Sequence, residues 1–327
     1  MSEHRNKVVV VATPTSPILT HLLHALSHES SLEVTVLTRE TSVGITSSNG
    51  HSHSHDHGHD HKHQNGHSRP THIETNFSAT ELETHLADTS TLICAFTGSD
   101  IHLTSAVIDA SSKAGVKIFI PSEYSLDTSN AKIRELLPPY QTRFEIQEKL
   151  KESGMNWKAI YSGIVLEDGL KTDGVLGIDA LWASVVVFPH DEETKIAVST
   201  YRDIAKSIVE AVDWKGKVEG NQVHVCSFRA SLDEIVAVVE KEMDKPLDRY
   251  EGVYEGAKKE AAARIKMGFF DGGIALLGRV AVWNGDVDAW SGWNETNIKV
   301  KDDWELEVRK VVQMVRNGEI GGGGCGC

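Results

Sequence analysis

Apolar positions along this chain fall into two alternating patterns. Residues 8–12 form a short continuous run, four valines and an alanine. After it Ile18, Leu19, Leu22, Leu23 and Leu26 recur every three or four residues. The first pattern predicts a buried strand and the second the inner face of a helix. Pro17 suits the first helical position, where a missing N–H costs nothing, so a helix is expected over 17–28. The alternation then repeats. Strands are expected over 33–38, near 72–74, and over 91–96, 116–120 and 157–161. Helices are expected over 78–87, 99–114 and 140–153. Ser78 with Glu81 three residues on has the spacing of a capping box, and Gly115 and Gly154 stand where helices stop.

Strands alternating with helices predict an α/β chain with a Rossmann-like, doubly wound parallel sheet. The second half is less regular. Helices are expected over 200–212 and 231–241, with a strand over 222–226 between them. From Tyr250 onward aromatic residues and glycines accumulate, as in a pocket-forming lobe. The expected organisation is therefore a nucleotide-binding type of domain over 1–165, a smaller α+β substrate lobe over 166–318 and a flexible tail over 319–327. A low-complexity insert, 42–70, is too rich in Gly, Ser and His to build a core.

Charge narrows the partners. The formal net charge of -14 disfavours nucleic acid, which needs a basic surface, and anionic membranes. No apolar stretch approaches a membrane span, and the first valine run is too short for a signal-peptide core. Cys94 and Cys226 lie in apolar, strand-like contexts and are expected to be reduced core thiols, with a cytoplasmic location as the default.

The first strand–turn–helix unit is where a dinucleotide-binding fold places its phosphate loop, usually with glycines. The turn Thr13-Pro14-Thr15-Ser16 contains none. The segment VKIFIPSEYSLDTSNAKIRELLPPYQTRFEIQEKLKESGMNWKAIYSG nevertheless resembles the isoflavone-reductase-like branch of the NmrA-like family, and its fungal members in particular. So do VLTRETS, ICAFTG, STYRDIAKSIVEAV and VHVCSFRASLDEIVAVVEKEMDK, and the likeness spans most of residues 7–315. It implies an atypical short-chain dehydrogenase relative that binds NADP.

That resemblance assigns roles to positions. The family's three loop glycines fall at Thr13, Ser16 and Leu19. Thr13, Thr15 and Ser16 offer hydroxyls, and Pro17 and Ile18 begin the helix whose free amides and partial positive charge suit a phosphate. Arg39 follows the second strand, where an arginine suits the 2′-phosphate of NADP. Phe96 and Thr97, at the end of the ICAFTG segment, and Ser122, in the Pro-Ser-Glu-Tyr block, complete the expected cofactor set. The family's catalytic lysine falls at Arg143. An arginine polarises a carbonyl or stabilises an oxyanion but is no general base. Tyr124 is a candidate proton donor, although an aromatic is common at this family position and packing is the favoured reading; Lys149 and Lys151 are expected to be solvated.

Two further features stand apart. His51, His53, His55, His57, His59, His61, His63 and His67 form a dense imidazole tract that offers ligands to a divalent metal without defining one tetrahedral site. Cys325 and Cys327 end the chain on a glycine tether. The expected function is NADP-dependent reduction of a small hydrophobic or aromatic metabolite, held near residues 166–182 and 269–293. The alternative is an NmrA-like NADP sensor with little or no catalysis, acting through a protein partner.

Overall fold

The backbone of β1 (Asn6–Ala12) lies at the middle of a six-stranded sheet, and its side chains are buried on both faces. The structure is a computed structural model and describes residues 6–39, 69–96, 101–189, 194–212, 221–293 and 303–320. After β1 come α1 (Pro17–Ser27), β2 (Leu32–Arg39), β3 (Thr71–Thr75), α2 (Ala79–Leu86), β4 (Thr91–Ala95), α3 (Ile101–Ala114) and β5 (Ile118–Ile120). Then follow α4 (Ala131–Leu136), α5 (Pro138–Ser153) and β6 (Asn156–Trp157). The sheet order is β3-β2-β1-β4-β5-β6, with every neighbouring pair parallel. The α/β, doubly wound sheet expected from the alternation is what forms.

Successive side chains of a strand point to opposite faces. Val8 and Val10 accordingly join Ile18, Leu22, Leu26, Ile204 and Ile208 in one core. Val9 and Val11 join Leu82, Leu86, Val107, Phe119 and Trp157 in the other. A strand covered on both faces has no solvent side to mark with polar residues, which is why it reads as an unbroken valine run.

The remaining elements are β7 (Ala159–Tyr161), β8 (Ile164–Val165), α6 (Leu166–Gly169), β9 (Ile178–Asp179), β10 (Ser184–Val187), β11 (Ile196–Ser199), α7 (Tyr201–Val212), β12 (Gln222–His224) and β13 (Phe228–Ala230). They are followed by α8 (Leu232–Met243), β14 (Asp248–Glu251), α9 (Tyr254–Lys266), α10 (Phe270–Trp283) and α11 (Trp304–Arg316). Three small sheets, β14-β10-β9, β13-β11-β8 and β12-β7, replace the single large one. Their core gathers Leu166, Ile178, Phe228, Ile235, Val282 and Val312.

Three expectations change. The strand over 157–161 breaks in two: Trp157 pairs with β5, whereas Ala159–Tyr161 pairs with β12. The box at Ser78 is only half closed. Ser78 accepts from the Glu81 N–H, but the Glu81 carboxylate takes the Thr75 hydroxyl at 2.6 Å and the Asn76 N–H at 3.0 Å. A complete capping box opens α8 instead, from Ser231 and Glu234. Helix α4 was not foreseen; Asn130 caps it by accepting from the Lys132 and Ile133 amides.

The tightest backbone approach is at Gly163, between β7 and β8. It has φ +68°, and a Cβ there would lie 2.2 Å from the Ala197 carbonyl oxygen. Gly163→Ala therefore combines left-handed strain with a backbone clash that no side-chain rotation relieves. It is expected to cost about 3 kcal/mol or more, read as a lower urea midpoint.

Candidate functional site

The C-terminal ends of β1, β4 and β5 open side by side, at the point where the strand order reverses from β1 to β4. In open α/β sheets this is where a ligand cleft forms. Register brings the candidate residues to one edge. Ala12 pairs with Thr38 and with Ala95, so Thr13, Arg39 and Phe96 each stand one residue beyond a mutually paired row. Ser122 lies two residues beyond Ile120 and donates its hydroxyl to the Phe96 carbonyl at 3.2 Å.

The glycine-free turn holds no residue in the left-handed region: none of Thr13 to Leu19 has a positive φ. Ser16 N–H donates to the Thr13 carbonyl at 3.0 Å, and Leu19 N–H to the Ser16 carbonyl at 3.1 Å. Ser16 is buried at the N-cap, yet its side chain makes no cap hydrogen bond. Pro14, Thr15 and Pro17 are exposed. The helix end thus lacks one donor at Pro17 and spends another at Leu19.

Behind the Pro121–Ser122 step the chain turns inward. Glu123 is 2% exposed, and its Oε1 accepts from Gln147 Nε2 at 2.7 Å. Its Oε2 is buried without a partner. Burial pushes the carboxyl up to about 7, against the nearby Arg143 charge and the Gln147 hydrogen bond, which pull it down. Tyr124 packs as expected, its hydroxyl donating to the Cys94 carbonyl at 2.9 Å. Cys94 and Cys226 are both buried and neither is in a disulfide.

One stripe of α5 faces this segment. Tyr140, Arg143 and Gln147 lie at i, i+3 and i+7, the spacing of a single helix face. The Tyr140 hydroxyl is hydrogen-bonded to the Ser125 hydroxyl. Arg143 Nη1 donates to the Glu123 carbonyl at 3.2 Å, and the guanidinium sits 5.0 Å from the Tyr140 ring centroid. Arg143 Nε is buried and unpartnered, as is Ser162 Oγ nearby. Gln147 is fully buried and also donates to Thr128 Oγ1 and the Tyr161 hydroxyl, at 2.6 and 2.9 Å. A half-buried pair, Asp127 and His224 at 2.9 Å, abuts the network; His224 packs edge-on to Trp293. The hydrogen bonds from His224 and Ser129 hold the Asp127 carboxyl below its usual value despite burial, which pushes the other way.

Ser125 and Tyr140 open onto a cavity of about 200 Å³. Leu137, Ile164, Val175 and Ile274 supply apolar wall, and Asp168 supplies one carboxylate. Asp168 accepts from the Tyr201 hydroxyl and pairs with Lys171. Of the aromatic-rich regions expected to form a pocket, α10 contributes Ile274, Ala275 and Gly278, whereas Trp182 and Phe269 face solvent at 79% and 65% exposure. Lys149 and Lys151 pair with the surface carboxylates Asp109 and Glu148.

The sequence singled out Arg143 but missed Tyr140, Ser125 and Gln147. The helical stripe 140–143–147 was the available signal. Thr97 and the histidines at 51, 53, 55, 57, 59, 61, 63 and 67 lie outside the described residues, as do Cys325 and Cys327. Among the described residues no group of three or more His, Cys, Asp or Glu side chains is arranged to hold a metal, and no helix is long and apolar enough to cross a membrane.

This architecture has counterparts among solved structures. AtPrR2 with NADP+ and (+)pinoresinol superposes with a TM-score of 0.68 at 16% identity, covering 96% of this chain and 98% of that one. The binary complex of leucoanthocyanidin reductase with NADPH from Vitis vinifera gives 0.68 at 14%, covering 94% and 99%. Isoflavone reductase gives 0.67 at 18%, covering 93% and 99%. In sequence, the Oxidoreductase aprR of Aspergillus flavus is 29% identical over 225 residues, 68% of this chain and 69% of that protein. The fold is thus that of isoflavone-reductase-like oxidoreductases. The model of the NmrA-like family matches residues 5–291, and the chain belongs to that family.

Proposed function

We propose that this chain is an NADP-dependent reductase of a small hydrophobic, aromatic metabolite. The observation that carries the reading is the Ser125–Tyr140 hydroxyl pair, backed by Arg143, at the mouth of an apolar cavity beside the cofactor edge of the sheet. NADPH, when bound, supplies the hydride. The chain's own part is to hold it, to orient the substrate and to manage one proton.

Thr13, Thr15 and Ser16 offer hydroxyls, and the Ile18 amide a helix-end donor, to the diphosphate. Arg39, Phe96, Thr97 and Ser122 complete the cofactor edge. The partner-free Arg143 Nε and Glu123 Oε2 fit an additional polar group at this place, because buried polar atoms in native proteins are rarely left unpaired. Tyr140 holds a proton at its hydroxyl for the substrate oxygen, and Ser125 fixes its direction. Arg143 keeps positive charge close to an oxyanion forming there; it cannot abstract a proton. The apolar walls keep water from the reacting centre and select for a ring-sized, weakly polar ligand.

Nicotinamide fluorescence on titration with NADPH and NADH tests the cofactor reading, and a carbonyl and enol-ether panel tests turnover. NADPH binding with turnover is the expected result. Binding without turnover would mark a sensor, and no binding at millimolar cofactor would reject dinucleotide recognition altogether. Arg39→Ala should weaken NADPH, but not NADH, by about 10–100-fold, the worth of a hydrogen bond to a charged group. Tyr140→Phe should lower kcat about 10²–10⁴-fold, the range for a lost general acid, with NADPH affinity unchanged.

Protonation of Glu123 gives a further check. Its carboxyl rises from 4.5 unfolded to about 7 folded. The folded state then binds more protons between these values, so its contribution is full below 4.5 and fades as pH rises through about 7. Glu167 is raised to about 7 as well, chiefly by burial. Stability should fall from pH 5 to pH 8, and Glu123→Gln should flatten that fall by up to about 3 kcal/mol in urea titrations at each pH.

A further inference from the structure

The exposed face of α1 carries two imidazoles that the reductase reading does not use. His24 and His28 lie four residues apart, in the last turn and at the C-cap of the helix. Their Nε2 atoms are 3.4 Å apart and their ring planes stand at 88°. Zinc–imidazole bonds of about 2.0–2.1 Å, opened to a tetrahedral angle, span about 3.4 Å between the two nitrogens. The pair therefore already has the bite of a zinc chelate. Protons on Nδ1 would leave both Nε2 lone pairs for a metal.

The surroundings suit a cation. The C-terminal end of a helix carries its partial negative charge. A groove of about 580 Å³ between α1 and α7 adjoins the pair, lined by Glu29 and Glu210 as well as by Arg202 and Lys206. Two carboxylates offset the two cations. His21, on the same helix face, stacks on Tyr201 with ring centroids 6.0 Å apart, and burial together with Arg202 and His24 holds its imidazole below the usual value.

We propose that His24 and His28 form a two-imidazole zinc site on the outer face of α1, with water in the remaining coordination positions. Because the two ligands come into register only when the turn is helical, zinc must favour the folded helix over its locally opened state. The site is independent of whether NADP binds or any substrate turns over.

Amide hydrogen exchange of the α1 segment, measured on the full chain with and without zinc chloride, tests this. Residues 51–67 bring histidines of their own, so total zinc uptake is not the readout. At zinc about ten times its dissociation constant, exchange limited by helix opening should slow about tenfold. His24→Ala and His28→Ala should each abolish the slowing. Each variant is compared with its own zinc-free rate, so a loosened helix still reports; His28→Gln provides a second, better-tolerated replacement. Equal slowing in the variants, or none in the parent at zinc concentrations that saturate a competing zinc indicator, would overturn the site.

Discussion

Burial of β1 on both faces is the constraint from which the rest follows. A parallel strand cannot be joined to its neighbour by a tight turn, so its connection must cross over the sheet, as α1 does between β1 and β2 and α3 between β4 and β5. Those helices, α1 on one side and α2 and α3 on the other, bury Val8 and Val10 or Val9 and Val11. The same requirement sends every strand the same way and lines up their C-terminal ends. The shared strand-end edge is thus a by-product of covering four valines. Thr13, Arg39 and Phe96 come together because the paired row of Ala12, Thr38 and Ala95 ends there.

Replacing glycine in the first turn changes the terms on which a phosphate would be met. Glycine permits a left-handed turn and a bare backbone. This chain keeps every residue of the turn out of that region, with prolines fixing the path. The strain of roughly 1–2 kcal/mol per misplaced β-carbon is therefore avoided rather than absorbed. The consequence is a different donor set. An amide donor is absent at Pro17 and another is engaged at Leu19, and the turn carries hydroxyl side chains where glycines would carry none. Hydroxyls rotate, whereas amides at a helix end are fixed, so a phosphate met by hydroxyls would meet less preorganised donors.

The sheet was legible because its signal is periodic: an unbroken valine run and a three-to-four spacing follow from local geometry alone. Boundaries blurred where tertiary pairing decides. Nothing local at Lys158 announces that the strand over 157–161 changes partner, and the Glu81 carboxylate was drawn from Ser78 by Thr75, a neighbour on the preceding strand. The site was half legible. Strand-end residues follow from register, and Arg143 from the family resemblance. Tyr140, Ser125 and Gln147 depend on how α5 is rotated against the Pro121–Asp127 segment. Their common helical face was visible in the sequence, but the object it faces was not.

That rotation also explains why so much polar chemistry is buried beside an apolar cavity. Gln147 Nε2 shares its two hydrogens among Glu123, Thr128 and Tyr161, so it cannot turn without giving up that set. A buried network satisfied in this way fixes one packing of α5 against the sheet. The atoms it leaves unsatisfied, Glu123 Oε2 and Arg143 Nε, belong to the same contact between α5 and the Glu123 segment. Leaving such groups unpaired costs about 1–3 kcal/mol each. At this face of α5 the two atoms leave capacity for one further polar partner.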